Sequence, residues 1–221
     1  MFERQSNYPC AVVDQDAMGE RIALDWCSRH MASGQHLVLW VAQKNILRNN
    51  AFLVYLSSHP RVEVVTGRGS KFFAANGPVL AMYPRIEELG TIMGASGITA
   101  LCVVRWDYSL LTWIKEVNAT ILHKAENWKF ADQSDCDLNP TIIEALQQMT
   151  DLVNHNNTIA AGYEKKVVVL RLLRLHDEGV ALPSEIMMEW AAANGWREKN
   201  VRKLGEYIDQ INSGVRPRTI R

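Results

Sequence analysis

The run Ile98-Thr-Ala-Leu-Cys-Val-Val104 decides the fold class. It is apolar at all but one position and rich in β-branched residues. A strand with one wet face alternates apolar and polar residues; a strand covered on both faces does not need to. Leu37–Val41, Val62–Val65 and Val79–Met82 read the same way, and Cys10–Val13 is a weaker example.

Between these runs the apolar period lengthens to that of a helix. Residues 16–31 bring Met18, Ile22, Ala23, Trp26 and Cys27 to one side, and residues 44–57 do so with Leu47, Phe52, Leu53 and Leu56. Residues 85–93 and 108–123 complete the set, the last with Asp107 as its expected N-cap and Leu110, Ile114, Val117 and Ile121 inward. Alternating strands and helices imply parallel strands joined by right-handed crossovers. The expectation is an α/β fold: a small open parallel Rossmann-like sheet with flanking helices, over residues 1–124.

Residues 125–138 are polar and aperiodic, and read as a linker. Asn139-Pro140 then opens a helix, with Asn139 as cap and Pro140 in the first turn. Further helices are expected at Gly162–Asp177, stopped by Gly179, at Ser184–Ala193, and at Lys199–Asn212, ended by Gly214. Residues 139–221 are therefore expected to form an all-α domain of helix-turn-helix or winged-helix-like type.

Composition bounds what the chain does. Its 221 residues carry 24 basic and 24 acidic side chains, so no overall field draws in nucleic acid or a membrane. Residues 161–221 carry 11 Lys/Arg against 8 Asp/Glu, which makes that end mildly basic. The N-terminus lacks the apolar run of a secretory signal, and no stretch is long enough to cross a bilayer. The four cysteines lack metal-knuckle or CxxC spacing, which suits a reducing, cytoplasmic setting. No cofactor fingerprint and no nucleophile elbow occurs, so no catalytic residue is assigned.

The strongest local signal runs from Met187 to Leu204. It resembles the general helix-turn-helix pattern: small Ala191, then Gly195 four residues later at a left-handed turn, then Val201 and Leu204 returning to the core. The expected outer face carries Arg197, Lys199, Asn200, Arg202 and Lys203. Arg and Lys suit phosphates and guanine, and Asn suits adenine. Glu198 and Glu206 lie on or near the same face and oppose phosphate. A protein-docking surface uses the same corner equally well.

The second candidate is Gly67-Arg68-Gly69-Ser70, directly after a strand. Ligands in open parallel sheets sit beyond the carboxyl ends of the strands. Arg105 and Asp107 end another strand. Together with Arg68 and Tyr83 they are expected to face one crevice and take an anionic small molecule such as a phosphorylated metabolite. Asp14, Asp16 and Glu20 are the densest acidic group at a strand end; helix capping explains them better than metal binding.

Three functions follow from these residues. The first is a non-catalytic regulator that contacts duplex DNA through its helical end and a ligand or partner through its sheet. The second is an enzyme or sensor for a phosphorylated metabolite. The third is a protein-interaction module.

Overall fold

The computed structural model describes residues 7–67, 74–126, 137–156 and 158–219. The first part runs β1 (Cys10–Asp14), α1 (Ala17–Arg29), β2 (Leu37–Val41), α2 (Lys44–Arg48), α3 (Ala51–Ser57), β3 (Val62–Thr66), β4 (Ala74–Met82), α4 (Ile86–Met93), β5 (Ser96–Arg105), α5 (Leu111–Glu116) and β6 (Thr120–His123). Then come α6 (Pro140–Asn156), α7 (Gly162–Asp177), α8 (Ser184–Ala193) and α9 (Glu198–Asn212). The strands form one sheet in the order β3-β2-β4-β5-β1-β6, and every pair is parallel. The α/β class expected from the sequence is the observed one.

Each strand residue faces the side opposite to its neighbours, so consecutive apolar residues feed two cores. On one side Ala11, Val13, Leu39 and Cys102 pack against Ala23 and Cys27 of α1 and Leu53 and Leu56 of α3. On the other, Val12, Trp40, Leu101 and Val103 share a cluster with α4, α5 and the C-terminal helices. The edge strands are less covered, and Glu63 of β3 is exposed. A charge on an edge strand discourages pairing with another chain.

Three sequence expectations need correction. The helix over 44–57 is two helices, because Asn50 leaves the first and caps the second, its Oδ1 accepting from Phe52 N at 2.9 Å. An asparagine offers the backbone a local alternative to continuing a helix. The helix over 108–123 is only α5: Asn118 adopts φ 51°, and Thr120–His123 becomes a sixth strand beside β1. Short apolar runs fit either period. The N-cap of α5 is Leu110, with φ 54°, not the exposed Asp107.

The amides at the start of α5 find their acceptor elsewhere. Glu189 of α8 is buried, and its Oε2 accepts from Thr112 N at 2.8 Å and Trp113 N at 3.2 Å. A helix start leaves amides that something must satisfy. Here a carboxylate distant in the chain does so, and it thereby ties α8 to α5.

Helix α4 makes the second seam. A Cβ at Gly90 would stand 2.2 Å from the Trp196 carbonyl oxygen, so only glycine lets α4 and the start of α9 approach this closely. Next to it, Thr91 Oγ1 donates to Glu198 Oε2 at 3.1 Å.

Candidate functional site

The corner between α8 and α9 has the geometry its spacing predicts. Gly195 has φ 83°, a left-handed conformation that costs other residues steric strain. Ala191, Val201 and Leu204 are fully buried. Arg197, Lys199 and Arg202 are exposed, and Lys203 is partly so. Glu206 accepts from Lys203 and lies 3.8 Å from Arg202 Nε, so one carboxylate offsets part of this basic face.

Asn200 is not on that face. It is buried, and its Oδ1 accepts from Ile159 N at 3.1 Å. Tyr207 donates its hydroxyl to the Ile159 carbonyl at 2.9 Å. Together they clamp both backbone groups of one residue ahead of α7. One turn separates Asn200 from Leu204 on the helix, so its position points inward, which the charged neighbours obscured in the sequence.

The carboxyl ends of the strands form the second candidate region. After β2 the chain continues into α2 and α3 on the α1 side of the sheet; after β4 it continues into α4 on the opposite side. Adjacent strands whose connections leave to opposite sides open a crevice between them. A crevice of about 420 Å³ lies there, lined by Ala42, Gln43, Gly67, Arg85, Glu88 and Glu198. Arg85 is engaged: its Nη1 is 3.1 Å from Glu87 and its Nη2 3.0 Å from Glu88. Glu88 foremost holds the guanidinium above its ordinary pKa.

Of the residues expected to bind an anion, Gly67 lines this crevice. Arg68, Gly69 and Ser70 lie outside the described residues. Arg105 does not join Gly67: β3 and β5 are separated by two strands, about 14 Å at the usual spacing. Arg105 also points inward. It is buried, its Nε donates to Asp14 Oδ1 at 2.7 Å, and its Nη1 donates to the Ser109 carbonyl. Burial lowers its pKa, against the pull of Asp14. Asp14 Oδ2 accepts from Ala125 N at 2.8 Å. This pair locks β1, β5 and the chain after β6 together. Asp107 is exposed.

The acids after β1 turn to different partners. Asp16 Oδ1 accepts from Gly19 N at 2.6 Å, and its Oδ2 lies 2.8 Å from His123 Nε2. The His123 hydrogen bond, then the Gly19 amide, lowers the Asp16 pKa. Glu20 is buried, and its Oε1 accepts from the Tyr83 hydroxyl and, at 2.7 Å, from Asn50 Nδ2. Tyr83 itself has φ 56°. A bulky residue in that region is strained and is held there by its surroundings. Burial foremost raises the Tyr83 pKa, so the phenol remains a donor. Its ring meets the Trp106 ring edge-on, with centroids 5.8 Å apart and planes at 67°. The sequence places Tyr83 and Trp106 at strand ends, but Glu20 reads there as a first-turn helix acid, and nothing local links the three.

These features define a parallel α/β protein with a helical region seated on one sheet face through α4 and α5. The helical region, residues 138–221, matches a family described as a domain of unknown function (DUF1889). No curated protein and no solved structure matches the chain. No helix among the described residues is long and apolar enough to cross a membrane.

Proposed function

We propose that the protein is a non-catalytic regulator that contacts duplex DNA through α9. The carrying observation is the row Lys199, Arg202 and Lys203 on the outer side of a helix set by the left-handed turn at Gly195. Arg197, exposed just before the helix, extends it. With Asn200 buried, the residue suited to adenine is withdrawn from the interface. The contacts are then phosphate contacts, and binding depends on salt more than on sequence.

Three phosphate contacts correspond to a slope of about −2.7 in log affinity against log salt. Fluorescence anisotropy with mixed-sequence duplexes across a salt series measures it. Arg202→Glu with Lys203→Glu is expected to abolish binding while leaving the thermal transition in place. Unchanged affinity in that double variant rejects the reading.

A second reading rests on the crevice between β2 and β4, whose position and volume suit a small molecule. In that reading the protein is a sensor. Because Glu198 opens α9 and also lines the crevice, a ligand there would touch the first turn of the helix assigned to DNA. Thermal shifts against nucleotides and phosphorylated metabolites test it, since binding to the native state stabilises it. A panel without any shift counts against a phosphorylated ligand.

A further inference from the structure

Trp106 stands at the carboxyl end of β5 with 59% of its surface exposed. An indole is costly to leave in water, and this one is not covered by any described residue to the degree its size allows. Its ring partner among the described residues is Tyr83, set at 67° to it, so the two rings form an open corner rather than a stack. Tyr83 is not free to swing away. Its hydroxyl is held by Glu20 and lies 3.3 Å from Asn50 Nδ2, and its backbone is held at φ 56°.

Two carboxylates are tied to these rings, Glu20 by its bond to Tyr83 and Asp107 as the residue after Trp106 in the chain, and neither has a cationic partner among the described residues. Glu20 receives Tyr83 and Asn50 on Oε1, while its Oε2 takes no hydrogen bond from a described residue. Asp107, next to Trp106 in the chain, is exposed and makes no ion pair. Arg105 would be the neutralising group, but it turns into the core onto Asp14. The faces of aromatic rings attract cations, and a carboxylate alongside adds to the attraction.

We infer that the corner formed by Trp106 and Tyr83, with Glu20 bonded to Tyr83 and Asp107 following Trp106 in the chain, binds the ammonium group of a small organic cation. The rings take the alkylated face of the cation, and the carboxylates balance its charge. This is the opposite sign from the anion that Arg105 and Arg68 suggest in the sequence, and the inward turn of Arg105 is the reason. The site is separate from the basic face of α9, so its failure leaves the DNA reading intact.

The test is a titration with choline and with its neutral isostere 3,3-dimethylbutan-1-ol, followed by the indole N–H resonance of Trp106. Choline is expected to shift that resonance saturably and to bind about tenfold more tightly than the isostere, the scale of a cation–π contact. Trp106→Ala, an exposed position, is expected to abolish choline binding, and Asp107→Asn to weaken it several-fold. Glu20→Gln keeps an acceptor for Tyr83 and is also expected to weaken it. Equal binding of the isostere would show a merely apolar patch and overturn the inference. So would the absence of any saturable shift up to about 100 mM, where even a very weak site fills.

Discussion

The α8–α9 corner and the carboxyl edge of the sheet are both built around turns, yet only one of them follows from its local sequence. In the corner, Ala191, Gly195, Val201 and Leu204 lie within fourteen residues, and each occupies the place that its spacing implies. At the edge, Glu20, Asn50, Tyr83 and Trp106 come from four separate segments, and Arg105 points the opposite way from expectation. A helical repeat constrains neighbours three and four apart, whereas a parallel sheet assembles its edge from strands remote in sequence. Local pattern therefore predicts a helix corner better than a strand-end site.

The sharpest way to break this contrast is at the Asp14–Arg105 pair. If it is a structural lock, Arg105→Ala leaves Asp14 charged and buried, and stability falls by about 3–5 kcal/mol. Adding Asp14→Ala should recover part of that loss. Urea unfolding measures both, and a mild effect of Arg105→Ala would restore Arg105 as a residue available to a ligand.

The seam between the two regions offers the next effect. Burial foremost raises the Glu189 carboxyl to about 7, against the amides of Trp113 and Thr112 that lower it. A carboxyl whose folded pKa lies above its unfolded value of 4.5 favours folding in its protonated form. Its contribution is therefore full below about pH 4.5 and is lost as pH rises to about 7, a fall on the order of 3 kcal/mol. Glu189→Gln keeps an acceptor for the α5 amides and removes the titration. Stability between pH 4.5 and 7 should then fall less steeply than in the parent, as denaturant midpoints at each pH would record. An unchanged profile would remove Glu189 as its source.

The smallest effect sharpens the corner itself. Asn200→Ala removes the acceptor for Ile159 N and should cost about 1 kcal/mol while leaving DNA affinity as it was. Reduced DNA binding at full stability would return Asn200 to the outer face.

Much of the fold was legible from particular residues. The consecutive apolar runs marked five strands because burial on both faces imposes that composition. Asn139, Pro140, Gly179 and Gly214 marked helix ends, since capping and left-handed turns are chemistry within one turn of chain. The strand missed was β6, whose Thr120–His123 carries four residues and fits a helix period equally. The basic face of α9 was legible except for Asn200, and the crevice in part, through Gly67.

By itself the sequence determined a parallel α/β unit followed by helices, the turn at Gly195, and the outward row Lys199, Arg202 and Lys203. These depend on periodicity and backbone preference, which act over a few residues. Tertiary structure alone decided that Glu189 caps α5, that Asn200 clamps Ile159, that Arg105 closes on Asp14, and that Tyr83 is pinned by Glu20. Those partners lie 77, 41, 91 and 63 residues apart. A charged or polar side chain has no preferred partner until folding sets the donors and acceptors around it, and burial then makes each unsatisfied one costly.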